Sequence, residues 1–136
     1  MSLPDELERH HTLLTATARY DELRMREALA VMADQSDGPY DTPALTREES
    51  LELLALSEVV IRKAGYGRQA MVRSARSAGA SWTQIGAALG SSKQAAWEAH
   101  NRWIGDQAQE HTLTGYTGLE PDEADAARRL AGRPDA

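Results

Sequence analysis

The chain has 136 residues, 41% of them hydrophobic and 26% charged, enough for one domain with a core plus arms. It contains no Cys, which excludes a disulfide framework, a thiolate zinc site and a cysteine nucleophile. It also lacks Phe and is only 5% aromatic, which argues against an aromatic stacking sheet for RNA, and its net charge of −6 argues, on average, against a polyanionic partner.

The pattern reads as helical throughout. Pro4, followed by Asp5 and Glu6, suits a helix start, because Pro is tolerated in the first turn and acids complement the positive helix end. A first helix is expected from Pro4 to Ala33. Its apolar stripe is Leu7, His11, Leu14, Ala18, Met25, Leu29 and Met32, spaced close to a 3.6 period. Asp34 to Leu45 is dense in Asp, Gly and Pro and reads as a loop.

Thr46 with Glu49 is a capping-box pattern that opens a second helix. Eight apolar residues lie between Leu51 and Ile61 and point all round that helix. A helix of this kind is buried on most sides. The expected cover is the first helix plus a second subunit, which predicts a homodimer; a central helix of a monomeric bundle is the alternative. The run is broken by Glu52, Ser57 and Glu58 and is too short to span a bilayer. The N-terminus has neither the basic nor the apolar region of a secretory signal, so no membrane and a cytoplasmic location are expected.

Gly65 and Gly67 either break the second helix or admit a close backbone approach; the pattern resumes at Met71, Ala75 and Ala78, which favours one helix continuing to Ala78. Ser81 then caps a short helix over Trp82–Leu89, Gly90 ends it, and Ser91 and Ser92 precede another from Lys93 to about Trp103. Gly86 and Ala87 are small enough to let another helix approach. After Ile104 the chain turns polar and reads as an arm, with a strand pair around Leu113 to Thr117 as the alternative. Pro121 to Ala131 reads as a last short helix, stopped by Gly132 and Pro134.

The fold class expected is therefore all-α: long N-terminal helices packed as a hairpin or dimer element, then two short helices about a tight turn, then a short C-terminal helix. The expected divisions are 1–45, an N-terminal helix and loop; 46–104, a long helix with the helix–turn–helix; and 105–136, a polar arm with the last helix.

Charge is partitioned along this order. Residues 1–58 carry thirteen acids against five arginines, a net of −8. Residues 59–104 carry seven Lys and Arg against Glu98 alone, a net of +6, and residues 105–136 return to −4. A basic middle between acidic ends marks where an anionic partner would dock.

Two short helices joined by a three- or four-residue turn containing Gly make a helix–turn–helix unit. The segment GASWTQIGAALGSSKQAAWEAHNRW resembles the helix–turn–helix of small actinobacterial DNA-binding regulators. The likeness covers residues 75–104. It implies a transcription regulator of double-stranded DNA, in which the second helix reads base edges and the first braces it. Ser92, Lys93 and Gln94 would then start the reading helix. Ser91 stands where such proteins commonly carry a Val or Ile that plugs the core.

Chemistry gives each residue a role. Lys93 suits guanine O6 or N7; Gln94 suits adenine N6 and N7, with guanine also open to it. Ser91 and Ser92 at the helix start suit a phosphate, as do Thr83 and Gln84 on the bracing helix. Asn101 and Arg102 fall further along and would meet the DNA backbone, while Arg68, Arg73 and Arg76 add sequence-independent attraction. The plainer reading makes Ser92 a cap, Lys93 and Gln94 a solvated face and the arginines ordinary surface. Trp82, Trp97 and Trp103 read as core wedges.

No metal-binding or catalytic motif occurs. His10 and His11 point about 100° apart on a helix and do not share a face. No cofactor and no enzyme activity are expected. The competing function is a helical protein-interaction adaptor or antitoxin-like partner that docks through residues 1–60.

Overall fold

A computed structural model describes residues 2–35 and 42–136. The chain divides into two units, Met1–Tyr66 and Gly67–Ala136, a boundary inside the expected middle segment 46–104. The described residues are helical, with no strand among them.

The first unit holds α1 (Leu3–His10), α2 (Leu13–Gln35) and α3 (Arg47–Tyr66). The single helix expected from Pro4 to Ala33 is two. The α1 helix starts as its sequence suggests, with Ser2 and Asp5 satisfying each other's backbone N–H groups. His11 is extended, and Thr12 opens α2: Thr15 N–H donates to Thr12 Oγ1 at 3.1 Å, and Thr12 N–H to Thr15 Oγ1 at 2.9 Å. A reciprocal cap of this kind competes with an uninterrupted helix. The loop expected over Asp34 to Leu45 lies partly outside the described residues; α2 runs on to Gln35, and α3 begins after the Thr46–Glu49 box, which forms at 3.0 and 3.1 Å.

The core of this unit is Ala16, Leu23, Leu53, Leu56 and Val59, with Leu7, Tyr20, Leu45 and Val60 against it. The expected stripe of α2 faces the other way, and Leu14 is 79% exposed. The helical period was legible, but α2 carries apolar rows on opposite sides, and the inner one runs Ala16, Tyr20, Leu23. The α3 helix shares this doubleness: Leu53, Ala55, Leu56 and Val59 are buried, while Leu51, Leu54 and Ile61 are exposed, the last two by 67% and 68%.

Ion pairs join the helices. Arg19 grips Glu52 with two hydrogen bonds of 2.9 and 3.0 Å, and Arg26 pairs with Glu49. Arg62 reaches Asp5 at 3.0 Å, Glu8 at 3.3 Å and Glu58 at 3.0 Å, and the Tyr66 hydroxyl donates to Glu8. Arg62 therefore belongs to the acidic unit, although charge counting placed it in the basic middle.

The second unit holds α4 (Arg68–Ser77), α5 (Trp82–Leu89), α6 (Lys93–Thr114) and α7 (Pro121–Ala131). The expected continuous helix to Ala78 breaks at Gly67, between α3 and α4. The arm expected after Ile104 is instead the second half of α6, closed by Gly115 at φ +80°. Its polar composition hid a half-buried row that continues Ala96, His100 and Ile104 through Gln107 and Ala108. No strand forms over Leu113–Thr117. The α7 helix has its expected bounds.

Val72, Trp82, Ile85, Ala96, Ile104, Leu119, Ala124, Ala127 and Ala131 form the second core. Gly118 lets the chain return to α6: a Cβ there would fall 2.2 Å from the Gln107 carbonyl, which accepts from Leu119 N–H at 3.0 Å. Among the described residues no helix is long and apolar enough to cross a membrane.

Candidate nucleic-acid interface

The surface around the turn between α5 and α6 is built from caps. Ser81 and Gln84 form a reciprocal box at the start of α5, at 2.9 and 3.1 Å. Gly90 ends α5 in the left-handed conformation at φ +70°. Ser92 then caps α6, its hydroxyl accepting from Ala95 N–H at 3.1 Å.

Gly86 fixes this turn. A Cβ on it would lie 2.9 Å from the Ser91 carbonyl oxygen and the Ser92 carbonyl, and Ser91 N–H donates to Gly86 O at 2.8 Å. What approaches here is the backbone of the turn, not a neighbouring helix. Ala87 is exposed and takes no part. Ser91, which lacks an apolar plug, is seated by this backbone contact and is itself exposed.

The ten residues singled out from the sequence fall into three groups. Ser91, Ser92, Gln94, Thr83, Gln84 and Arg102 are exposed around the turn and along α6. Gln84 spends its carbonyl oxygen on the α5 cap. Asn101, Arg73 and Arg76 are half-buried and already engaged. Asn101 donates to Trp97 O at 2.9 Å, and Arg73 lies over the Trp103 ring at 5.6 Å. Arg76 donates to the carbonyls of Leu130, Ala80 and Ala136 while covering Trp82 at 5.3 Å. Its donors hold the fold together.

Lys93 stands apart. It lies three, four and seven residues before Ala96, Trp97 and His100, so it extends the inward row of α6. Its ammonium meets Asp135 at 2.7 Å, and this pairing holds the Asp135 carboxyl below its ordinary range. Both side chains remain substantially exposed.

Asp135 belongs to a strap after α7 that lies across the starts of α5 and α6. Trp97 Nε1 donates to Gly132 O at 2.8 Å, and Trp82 N–H donates to Ala136 O at 3.3 Å. The Trp82 indole is fully buried and donates to Ala131 O at 2.7 Å. All three indoles are therefore core or strap anchors, as their spacing implied.

Two residues carry more than the sequence reading gave them. Glu98 lies one turn beyond Gln94 on the exposed side of α6 and accepts from its Nε2 at 2.8 Å. The i, i+4 spacing was the available signal. His100 is buried, with ring centroids of Trp82 and Trp103 at 5.6 and 5.4 Å, and its Nδ1 donates to Gln69 Oε1 at 2.9 Å. Burial, reinforced by Arg73 and Arg76, lowers its pKa and keeps the ring neutral. Among the described residues no cluster of His, Asp and Glu is arranged to hold a metal.

Compared with known proteins, the chain matches no family model, no curated protein and no solved structure.

Proposed function

We propose that the second unit binds double-stranded DNA through α5, the turn and α6 as a helix–turn–helix, and that the protein is a sequence-specific transcriptional regulator acting as a homodimer. One observation carries this reading: Ser91, Ser92, Gln94, Ala95, Glu98 and Arg102 leave the first half of α6 open to solvent beside a turn locked on Gly86. An exposed helix start on a rigid turn is what entry into a major groove requires.

The roles shift with the contacts. Gln94 and Arg102 lie on the outward side of α6 and suit the groove and its rim. Ser91, Ser92 and Thr83 suit phosphates, and Arg68 adds attraction. Lys93 must first exchange Asp135 for DNA. Residues 67–136 carry eight cations and eight acids, so attraction depends on local placement, not net charge. The exposed apolar rows of α2 and α3 supply the pairing surface, and an inverted-repeat operator would space its half-sites by about 34 Å or a multiple.

The same exposed rows favour a second reading, a helical interaction module with no DNA binding of its own. Selection from random duplexes at low salt separates the two. A regulator enriches one motif and loses affinity steeply as salt rises. An interaction module enriches none and passes through heparin at low salt.

A further inference from the structure

We infer that Glu98 is a positioning residue for specificity: it orients the Gln94 amide so that Gln94 reads adenine and rejects guanine. The inference rests on the DNA-binding reading above and names how its site would discriminate.

Glu98 is the one acid between Val59 and Ile104, in a stretch with seven cations. A carboxylate facing phosphates would weaken binding to a polyanion. Its place gives it another use. Gln94, Glu98 and Arg102 are spaced by four residues along the exposed side of α6, opposite the row of Ala96, His100 and Ile104. Glu98 therefore occupies the part of the helix that would meet base edges, and it is already bonded to Gln94 at 2.8 Å.

The chemistry of that bond fixes the amide. A carboxylate only accepts, so Gln94 must turn its NH₂ group toward Glu98. One N–H is consumed. What remains is the carbonyl oxygen as acceptor and the second N–H as donor. Adenine presents a donor, N6–H, beside an acceptor, N7, and matches this pair. Guanine presents two acceptors, N7 and O6, and would need both N–H groups of Gln94. A freely rotating Gln reads either purine; one held by Glu98 does not.

The test is selection of random duplexes by the full-length protein, beside Glu98→Ala, Glu98→Gln, Gln94→Ala and the Glu98→Ala/Gln94→Ala double variant. Wild type should favour adenine over guanine at one position of each half-site by about 5- to 100-fold. Glu98→Ala should keep or gain overall affinity yet lose that preference. Glu98→Gln should lose most of it too, because a neutral amide at 98 can donate as well as accept and no longer dictates the orientation of Gln94. Gln94→Ala should lose the same preference, and the double variant should discriminate no worse than either single one, as partners acting through one contact do. Both side chains are exposed, so tryptophan fluorescence should show all four variants folded. A Glu98→Ala protein that keeps the wild-type motif would overturn the inference and leave the DNA-binding reading standing, with the Gln94–Glu98 bond an ordinary surface pair. A wild type that enriches no motif would overturn both.

Discussion

The two units solve the same problem with different means. The first has a thin aliphatic core, no tryptophan, and paired charges between helices: Arg19 with Glu52, Arg26 with Glu49, Arg62 with Asp5 and Glu8. Such partly exposed pairs each contribute roughly 0–1 kcal/mol, so they set orientation more than stability. Its helices leave Leu14, Met25, Leu54 and Ile61 in water. The second unit wedges three indoles and a neutral histidine among alanines and closes the wedge with a strap. It too leaves Met71, Leu89, Leu113 and Tyr116 exposed, but Ser91, Ser92, Gln94, Glu98 and Arg102 make the surface beside the turn largely polar. A unit built this way can present small side chains on a rigid frame. The first has apolar rows left to offer a partner.

The largest expected difference comes from Trp82→Ala. It empties a fully buried site and removes the bond to Ala131 O, at a cost of about 3–5 kcal/mol. Trp97 and Trp103 still report on the second unit alone, because the first has no tryptophan. In a urea titration their fluorescence should change at much lower denaturant than in wild type, while the ellipticity contributed by α1–α3 persists. Coincident loss of both signals would show that the two units unfold together. Next in size is Gly86→Ala. The added methyl meets backbone at 2.9 Å, so the turn must shift, at about 1–3 kcal/mol. The comparison sharpens with Gly65→Ala, where a Cβ meets nothing within 4 Å. Its thermal midpoint should hold or rise, and a drop matching that of Gly86→Ala would refute the steric account.

Those two glycines show what the sequence could and could not convey. The caps at Ser81, Ser92 and Thr46, the helix start at Pro121, the glycine stop at Gly90 and the period of α2 are local and were legible. The Thr12–Thr15 cap between α1 and α2 is equally local but was masked by an apolar stripe that runs through it. The face of α2 was not legible. Two apolar rows satisfy the same period, and only packing against α3 selects Ala16 and Leu23 over Leu14 and Met25. The second half of α6 was missed for a related reason: its inward residues include Gln107 and His111, and nothing local says that the returning segment 117–119 will lie against them. Around the turn, the exposure of Ser91 to Gln94 matched expectation. Lys93, expected to be free for base edges or solvated, is exposed but paired with Asp135. The strap that meets it depends on Asp135, 42 positions away, and left no local trace.

Acid should separate the units. In the second, burial lowers the pKa of His100, so its neutral form is favoured by folding. That stability is complete above the unfolded histidine value, near 6.5, and is lost as pH falls below it. In the first unit the lowered groups are carboxylates. The hydroxyl and backbone of Ser2, with Arg62, bring Asp5 to about 2, while Tyr66 lowers Glu8, and Arg26 and Arg19 lower Glu49 and Glu52. Their contribution persists above the unfolded carboxylate values, near 4, and fades only as pH falls below them. Between pH 6.5 and 5 the thermal midpoint read by tryptophan fluorescence should therefore fall while the signal of α1–α3 holds. His100→Gln should flatten that slope; an unchanged slope would place the acid sensitivity elsewhere.

The smallest effect tests the strap. Lys93 and Asp135 are both well exposed, so Asp135→Asn should leave the thermal midpoint of the second unit nearly unchanged. Its consequence lies in binding. On the proposed DNA-binding function, DNA must displace the ionised Asp135 carboxylate from Lys93 and approach past its negative charge. With asparagine there, Lys93 is free to meet a phosphate, and the slope of log affinity against log salt should steepen by about one. Lys93→Ala should remove that gain in the Asp135→Asn background and weaken binding less in the parent chain, where Asp135 competes for the ammonium. If Asp135→Asn leaves both affinity and slope untouched, Lys93 does not meet DNA, and recognition belongs to the outward side of α6 alone.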